Sequence, residues 1–360
     1  ANCNNACQRA NSLPFRARNK YRVPPVNLTN VEGVSLDALT IGNALVDVLA
    51  TVDEGFLVRE NIVKGSMNLV DIKRSKHLHS LVNSRTEMSG GSAANTAYGL
   101  ASLGGKAGFI GKISADRLGD SFSHDLDSVG VKFFPGVTCE TEDTGRCLIV
   151  VTPDGNRTMN TFLGAASLLD AADISKTAVQ SAAVVFLEGY LFDKDAAKEA
   201  FRTAAEYAHA AGRKVALTLS DSFCVDRHRA DFLALVKNDI DILFSNEDEL
   251  KALYQVDSIN DGLHQLRDNC EFAAVTRNEH GSVVIDGDEV VIIDAEPVES
   301  VVDATGAGDM YAAGFIYGFV RGKPIEQCGK IGSIVASEVI THMGPRPLVP
   351  LTTVVPKSLH

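Results

Sequence analysis

Hydrophobic positions in the second half of this chain form short unbroken runs separated by longer amphipathic stretches. Apolar runs of strand length occur at 183–187, 215–219 and 241–244, and helical spacing occurs between them at 194–211 and 231–237. An apolar run without polar alternation is typical of a strand buried on both faces, as in a parallel sheet covered by helices. The pattern therefore predicts an α/β fold with a mostly parallel central sheet, and ligands at the carboxyl ends of its strands.

The first half of the chain has a more β-rich pattern. An apolar run at 37–48 predicts a strand that ends at Gly42-Asn43, with Asp47 shortly after it. Shorter strand-like pieces, helical stretches and two β-rich runs follow at 49–52, 67–70, 73–83, 97–103 and 144–163. The last two β-rich runs flank Pro153-Asp154-Gly155-Asn156, which predicts a hairpin. We therefore expect several short strands and a hairpin in this half of the chain.

Composition and charge narrow the classes of function. The chain has 360 residues, of which 45% are hydrophobic and 22% charged, as is typical of a globular protein with a sizeable core. The net charge of −12 disfavours non-specific binding to nucleic acid or an anionic membrane. No apolar run approaches the roughly 20 residues that span a bilayer. We expect small-molecule partners, and the choice between monomer and homodimer stays open.

Residues 1–36 are expected to form a tail outside the fold. Residues 1–30 contain no Asp or Glu but several Arg, and such a segment is similar to an organellar transit peptide, for a chloroplast rather than a mitochondrion. The alternative is a disordered tail without an address, in a cytoplasmic protein. The seven Cys have no metal-site spacing, which suits a reducing compartment and predicts that most are small core residues.

The segment Asp303-Ala304-Thr305-Gly306-Ala307-Gly308-Asp309 carries the clearest chemical signal. A β-branched run at 298–302 precedes it and an Ala-rich run follows, so the pattern predicts a strand, a glycine turn and a helix N-terminus. Free N–H groups and the helix dipole at such a turn favour an anion, and glycines let it approach the backbone. Asp309 in the first helical turn either complements the dipole or acts as a general base beside the anion.

Other polar groups follow predicted strands. Glu188 after the run at 183–187 is suited to accept N–H groups from a base edge or a ribose, and Tyr190 to pack on a ring, or both are packing residues. Met159 and Thr161 of the hairpin alternate onto one face, which could cover a flat base. Asn246 and Glu249 fit either a helix N-cap or the surroundings of a hydrated Mg²⁺.

Three motifs in order resemble those of the ribokinase-like sugar and nucleoside kinases, the pfkB family. They are the DATGAGD segment at 303–309, GGxxxN at 90–95 and NxxE at 246–249, and Ala304 is a mild departure from the family pattern. The resemblance spans about 37–348 and implies one kinase domain at 37–350, with a small β-sheet lid formed by about 49–71 and 136–165 and a tail at 351–360. No GxxxxGK[ST] sequence is present, so the chain is not a P-loop kinase.

The resemblance also implies roles residue by residue. Asp309 matches the catalytic base, and Gly306, Ala307 and Gly308 match the turn that stabilises charge on the transferred phosphoryl group. The candidate substrate-binding residues are then Asn43, Asp47, Gly90, Gly91, Asn95, Arg157, Met159, Thr161, Glu188 and Tyr190. The candidate ATP-binding residues are Asn246, Thr276, Arg277, Gly281, Thr305, Gly306, Gly308 and His342. Mg²⁺ is expected near Asn246 and Glu249, and the resemblance allows K⁺ near the anion site.

These expectations converge on an ATP-dependent kinase. The hairpin and the Glu188 segment look most like the purine-nucleoside branch of the family, which implies phosphorylation of the 5′-hydroxyl of adenosine, inosine or guanosine in purine salvage. The alternative within the family is a fructokinase- or ribokinase-like sugar kinase. A third possibility is a catalytically silent scaffold on the same fold, against which the intact Asp309, Gly306, Gly308 and Asn95 argue.

Overall fold

The computed structural model describes residues 26–83 and 85–359. Its strands are β1 (Leu36–Ile41), β2 (Leu45–Thr51), β3 (Met67–Leu69), β4 (Arg85–Gly90), β5 (Ala107–Gly111), β6 (Lys132–Pro135), β7 (Gly145–Val151), β8 (Arg157–Phe162), β9 (Ala182–Glu188), β10 (Lys214–Thr218), β11 (Ile242–Asn246), β12 (Phe272–Thr276), β13 (Ser282–Asp286) and β14 (Glu289–Ile293). Its α-helices are α1 (Glu54–Arg59), α2 (Ile72–Leu81), α3 (Ser92–Ser102), α4 (Arg117–Ser128), α5 (Lys176–Gln180), α6 (Asp195–Ala210), α7 (Ser222–Asn238), α8 (Glu247–Tyr254), α9 (Ile259–Asn269), α10 (Ala307–Val320) and α11 (Ile325–Val339).

Nine strands form the main sheet, in the order β14-β13-β12-β11-β10-β9-β1-β5-β6. The strands from β12 to β6 pair in parallel, whereas β13 and β14 run antiparallel at one edge. Alternate residues of β9 enter two apolar layers. Val184 and Phe186 pack with the core beneath α3, α10 and α11, and Val185 and Leu187 pack with the core beneath α6 and α7. The predicted α/β fold is therefore confirmed.

A second sheet of five strands has the order β3-β8-β7-β2-β4. Val48 and Val150 on its outer face are buried with Leu78 of α2 and Phe56 of α1. Because side chains alternate across a strand, the opposite face carries a different set of residues. On that inner face Asp47 pairs with Cys147, Cys147 with Thr161, and Thr161 with Leu69, so the four residues form a row across the sheet.

The apolar run at 37–48 contains the strand predicted to end at Gly42-Asn43 and, beyond it, the start of a second strand. β1 ends at Ile41 and β2 begins at Leu45 in the other sheet, so Asp47 lies within a strand and not in a turn after one. An apolar run does not show where a chain passes from one buried sheet to another. The second sheet is also larger than predicted, because β4 belongs to it. The sequence RTEMSG of β4 lacks apolar alternation, and its pairing with β2 holds it in the sheet.

Two segments expected to be tails belong partly to the folded domain. Within 26–36, Glu32 accepts a hydrogen bond on its carbonyl oxygen from the Arg213 guanidinium at 3.0 Å. At the other end, Leu351 is fully buried and Val355 nearly so, because both are apolar and pack into the core. The transit-peptide prediction rests mainly on residues 1–25, which lie outside the described residues, and it stays a prediction.

The thiols and helices agree with the compositional analysis. The cysteines within the described residues are buried and free, as predicted, namely Cys139, Cys147, Cys224, Cys270 and Cys328. Cys3 and Cys7 lie outside the described residues. No helix in residues 26–83 and 85–359 is long and apolar enough to cross a membrane.

Candidate active site

The glycine turn before α10 leaves the helix N-terminus open. Gly306 has a left-handed backbone with φ 81°, and a Cβ on it would lie 2.6 Å from the Pro345 carbonyl oxygen, so glycine is required there. A Cβ on Gly308 would instead meet no heavy atom within 4 Å. The Ala307 N–H already donates to the Ala304 carbonyl oxygen at 3.2 Å, but the open space beside Gly308 leaves the positive end of the α10 dipole accessible to an anion.

The loop that leads into this turn is fixed by Asp303 and not by a strand. Asp303 Oδ1 accepts hydrogen bonds from the Thr305 N–H at 3.1 Å and the Thr305 hydroxyl at 2.7 Å, and Oδ2 accepts one from the Gly344 N–H at 2.8 Å. The prediction of a strand at 298–302 was wrong. Val301 and Val302 are exposed there, and the segment 298–302 belongs to neither sheet.

Asp309 is held by two donors from the start of α3. Its Oδ1 accepts a hydrogen bond from the Ser92 hydroxyl at 2.6 Å, and its Oδ2 accepts one from the Asn95 amide nitrogen at 3.1 Å. Burial raises the pKa of Asp309 to about 6, although both hydrogen bonds oppose that rise. The carboxylate is thus fixed in orientation and stays ionised near neutral pH, which are the properties of a general base.

Asp47 lies across the site on the inner face of the second sheet. A Cβ on Gly90 would lie 2.3 Å from the Asp47 carboxylate, and one on Gly91 would lie 2.2 Å from the Asn43 carbonyl oxygen. Both glycines therefore let polar groups approach the start of α3. Burial raises the pKa of Asp47 to about 6, while the charges of Arg346 and Arg157 oppose the rise.

Glu188 is fully engaged inside the protein. It is 1% exposed, its Oε1 accepts a hydrogen bond from the Asn43 amide at 2.7 Å, and its Oε2 accepts one from the Ala93 N–H at 2.8 Å. Burial raises the pKa of Glu188 to about 7, and these donors oppose the rise. The prediction that it accepts N–H groups of a base is not supported, because both oxygens already bind the polypeptide and tie β1 to α3.

Tyr190 follows β9 and is hydrogen-bonded to Ser220, in the loop that follows β10. Its hydroxyl donates to the Ser220 carbonyl oxygen at 3.2 Å, and its N–H donates to the Ser220 hydroxyl at 3.2 Å. Ser220 has a left-handed backbone with φ 73°, which is uncommon for a residue with a side chain. Burial raises the pKa of Tyr190 well above its usual value, and Asp221, Glu249 and Asp309 add to the rise. The tyrosine therefore stays protonated, with its ring partly exposed at the edge of the site.

Arg157, on the inner face of β8, reaches the glycine loop from the second sheet. Its Nη1 lies 2.7 Å from Asp303 Oδ2, and both side chains are almost completely buried. Its Nε is buried and has no hydrogen-bond partner. The structure thus adds an ion pair that the sequence did not predict, and contact of Arg157 with a phosphate stays a prediction.

The inner face of the second sheet is apolar and open near Arg157. Met159 shares that face with Thr161, as predicted, and pairs with Met67 of β3. Met67 and Leu69 expose 47% and 58% of their surface, although both are large and apolar. Thr161 differs, because it is buried and its hydroxyl donates to the Cys147 sulfur at 3.2 Å. The face could cover a flat ring system beside Asp47.

The predicted ATP-binding residues lie further along the same edge of the main sheet. Thr276 ends β12, and Arg277 pairs with Glu247 at 3.3 Å. Asn278 has a left-handed backbone with φ 50°. Gly281 has φ 75°, and a Cβ on it would lie 1.9 Å from a backbone oxygen of β14. The turn between β12 and β13 therefore depends on both residues.

His342 occupies a packing position. Its Nε2 lies 3.3 Å from Glu338 Oε2, one helical turn earlier, and its Nδ1 lies 3.3 Å from the Met343 carbonyl oxygen. Both ring nitrogens thus have partners within the chain. The N–H and the hydroxyl of Thr305 likewise donate to Asp303. Contacts of His342 and Thr305 with ATP therefore stay predictions.

Asn246 and Glu249 form a capping box at the start of α8. The Asn246 side chain donates to Glu249 Oε1 at 2.7 Å, its N–H donates to Oε2 at 3.0 Å, and its Oδ1 accepts from the Glu249 N–H at 2.8 Å. Burial raises the pKa of Glu249 to about 7. Each carboxylate oxygen of Glu249 already accepts one hydrogen bond and the side chain is buried, which favours a position facing a hydrated Mg²⁺ over direct ligation. No cluster of metal-ligating side chains occurs among residues 26–83 and 85–359.

Sequence reasoning missed two residues that contact the predicted ones. Ser92 donates to Asp309, and its only signal was its position inside the GGxxxN motif. Arg346 is a buried cation whose Nε donates to the Asn95 side-chain oxygen at 3.3 Å. It lies between Pro345 and Pro347, and this position carries no pattern that indicates a site.

The structure brings one set of predicted residues into a connected cluster and leaves another apart from it. The cluster consists of Asn43, Asp47, Gly90, Gly91, Asn95, Glu188, Gly306, Ala307, Gly308 and Asp309. The residues at the ends of β11 and β12, with His342, have their contacts elsewhere. The arrangement can hold a polar acceptor beside Asp309 and an anion at the N-terminus of α10.

Several known proteins share the sequence and fold of this chain. The profile described as pfkB family carbohydrate kinase matches residues 58–351. The crystal structure of adenosine kinase from Sinorhizobium meliloti is 47% identical, with a TM-score of 0.82, and the match covers 89% of this chain and 98% of that one. A structure described as a "probable sugar kinase protein" from Rhizobium etli CFN 42 is 44% identical, with a TM-score of 0.82 and coverage of 89% and 97%. A nucleoside kinase from Methanothermobacter thermautotrophicus is 27% identical over 88% of this chain and 93% of its own length.

Proposed function

The chain belongs to the pfkB family of carbohydrate kinases and is an ATP-dependent kinase of a hydroxyl group, and on that premise we propose that its acceptor is the 5′-hydroxyl of a purine nucleoside. The observation that carries the proposal is the apolar inner face of the second sheet. Met67 and Leu69 are half exposed there, in the same sheet as Asp47. A purine base can cover such a face, whereas a free sugar has no comparably large apolar surface.

In this proposal the ribose hydroxyls bind to Asp47 and to the amide of Asn95, while the base lies against the second sheet. The 5′-hydroxyl then points at Asp309. Asp309 takes the hydroxyl proton as the oxygen attacks the γ-phosphorus in line, and the bond from that phosphorus to ADP breaks. The turn of Gly306, Ala307 and Gly308 stabilises the charge that spreads over the phosphoryl oxygens through the positive end of the α10 dipole and the N–H groups of its two glycines.

Family membership implies Mg²⁺ with ATP, and when bound the ion neutralises charge on the phosphates. In the capping box each carboxylate oxygen of Glu249 already accepts a hydrogen bond, so we infer that ATP and water supply the direct ligands of Mg²⁺. The chain itself contributes Arg157, whose guanidinium lies beside Asp303 at the start of the glycine turn. A requirement for K⁺ stays a prediction.

The test is to incubate the protein with ATP and Mg²⁺, with and without K⁺, and to measure ADP and the product mass. The acceptors are adenosine, inosine, guanosine, cytidine, ribose and fructose. The expected product is a purine nucleoside monophosphate. A pyrimidine product would keep the nucleoside and remove the purine preference.

The second candidate is a sugar kinase, and the similarity to the Rhizobium etli protein favours it. Phosphorylation of ribose or fructose alone would support this candidate and refute the nucleoside assignment. If the protein is shown to be folded and forms no ADP with any of these acceptors, both candidates are contradicted.

A further inference from the structure

Arg346 is the centre of a buried polar network next to the proposed base. It comes from the segment after α11, and its side chain is 8% exposed. Its Nη1 lies 2.6 Å from Asp125 of α4, its Nη2 donates to the Ser89 hydroxyl at 2.6 Å, and its Nε donates to the Asn95 side-chain oxygen at 3.3 Å. The guanidinium also lies 4.4 Å from the ring centroid of Tyr98, one turn after Asn95 in α3. Each of the three guanidinium nitrogens thus has one acceptor.

The contact with Asn95 has a directional consequence. A guanidinium has donors only, so the side of the amide that faces Arg346 must be the oxygen. The amide nitrogen must then face the other way, where it donates to Asp309 Oδ2 at 3.1 Å. If the amide rotated by half a turn, its oxygen would face a carboxylate, and Asp309 would lose a hydrogen bond that favours its ionised form.

We propose that Arg346 is a positioning residue that fixes the amide of Asn95, so that its nitrogen faces Asp309 during phosphoryl transfer. Arg346 touches no reacting atom and acts through Asn95. The inference rests on the assignment of Asp309 as the base.

The geometry requires arginine and not only a positive charge. Three acceptors, on α3, α4 and β4, each take a different nitrogen of one planar group. A lysine ammonium is a single point on a flexible stem, so it cannot meet all three acceptors while lying flat over Tyr98. We therefore expect Arg346→Lys to retain the charge and lose the orientation of Asn95.

The test is a double-mutant cycle with Arg346→Lys and Asn95→Ala, measured by single-turnover and steady-state kinetics with the acceptor that the wild-type enzyme phosphorylates. Arg346→Lys is expected to lower kcat roughly tenfold or more, the effect of a hydrogen bond to a charged group, with KM for ATP within about twofold. In the Asn95→Ala background the same change should lower kcat less than about threefold. Equal losses in both backgrounds, or an unchanged kcat, would overturn the proposal.

A matched control is available at Arg321. This arginine also binds a buried carboxylate, Asp37 at 3.0 Å, donates to a backbone carbonyl and lies over a tyrosine ring, but it lies remote from Asp309. Arg321→Lys should leave kcat unchanged, so it reports what loss of a similar buried network does to the fold. If Arg346→Lys does not fold, Asp125→Asn replaces it in the cycle. Asp125 is the partly exposed partner of Arg346, and a neutral amide in its place would hold the guanidinium less firmly. Additive losses with that variant would equally refute the proposal.

Failure of the inference and failure of the proposed function are distinguishable. A wild-type enzyme that phosphorylates only a sugar changes the acceptor in the assay and leaves the cycle intact. An Asp309→Asn variant with wild-type kcat would remove the base, and with it the premise. With Asp309 shown to be essential, additive kinetics or an unchanged kcat in Arg346→Lys count against Arg346 itself.

Discussion

At the scale of single residues, the site keeps a carboxylate both buried and ionised. Burial raises the pKa of Asp309, and the donors Ser92 and Asn95 limit that rise to about 6. A base with a pKa just below neutral is ionised at physiological pH and still accepts a proton readily. Two opposing effects of the fold therefore place this residue in a useful range.

The pH dependence of kcat should follow from this balance. Only the ionised carboxylate accepts the hydroxyl proton, so kcat should fall as the pH drops through about 6 and approach a tenfold loss per unit below it. Ser92→Ala removes a hydrogen bond that stabilises the ionised form, so it should move the acidic limb of the profile to higher pH. The measurement is kcat against pH at saturating ATP and acceptor for the two proteins.

Asp309→Asn provides the control for this profile. Its amide does not titrate in this range, so the variant should have a kcat about 10²–10⁴-fold lower and no acidic limb from this residue. Asp47 also has a pKa of about 6, and Glu188 and Glu249 have pKa values of about 7, so a limb that survives in the Asn variant would belong to one of these buried carboxyl groups. An acidic limb that stays in place in Ser92→Ala would contradict the assignment of the limb to Asp309.

The sequence predicted residues in motifs better than residues in networks. Asp309, Gly306 and Asn95 lie at spacings that local backbone geometry requires, so the sequence shows them. Glu188 was given a role at the base, because its partner Asn43 lies 145 positions away and no local pattern shows that contact. Arg346 was missed for the same reason, since its contact with Asn95 spans 251 positions.

At the scale of structural elements, the hairpin of β7 and β8 is joined to the glycine loop by one ion pair. Arg157 lies 2.7 Å from Asp303, which also holds Thr305 and Gly344. The hairpin was predictable from its turn sequence, and β4 was not, because its polar residues owe their conformation to pairing with β2. Local patterns thus predicted the element that reaches the site but not the edge strand that completes its sheet.

Arg157→Gln should uncouple ATP hydrolysis from phosphoryl transfer. The change leaves Asp303 buried without its cation, so the hairpin should no longer hold the glycine loop or exclude water from it. We expect kcat for transfer to fall at least tenfold and the ratio of ADP to phosphorylated product to rise above one. Both products are quantified in the same reaction.

Lys64→Gln is the matched control for the hairpin. Lys64 pairs with Asp154 at the tip of the same hairpin, but both side chains are substantially exposed, so solvent screens the pair and it contributes little to stability. This variant should keep the ADP to product ratio of the wild type. If Arg157→Gln also kept that ratio, the ion pair with Asp303 would have no part in coupling.

At the scale of the whole molecule, the chain after α11 returns to the site from the far end of the sequence. Arg346 reaches α3 and α4, and five residues later Leu351 enters the core beside α3, where its N–H donates to the Ser102 hydroxyl at 3.0 Å. Residues 351–360 were expected to be a tail, because the resemblance to the family ends at about 348. The burial of Leu351 and Val355 makes this segment part of the domain that positions Asn95.

The packing of the segment after α11 predicts that alanine substitutions at Leu348 and Leu351, three positions apart, have different effects on stability. Leu351 is fully buried and Leu348 is 73% exposed, so Leu351→Ala should lower the free energy of unfolding by about 2–5 kcal/mol, and Leu348→Ala by no more than about 0.5 kcal/mol. Urea denaturation of both variants, followed by circular dichroism, measures the difference. Because Leu351 packs beside the far end of α3, the folded fraction of Leu351→Ala should keep a kcat close to that of the wild type. A loss of less than 1 kcal/mol for Leu351→Ala would show that the segment lies on the domain without stabilising it.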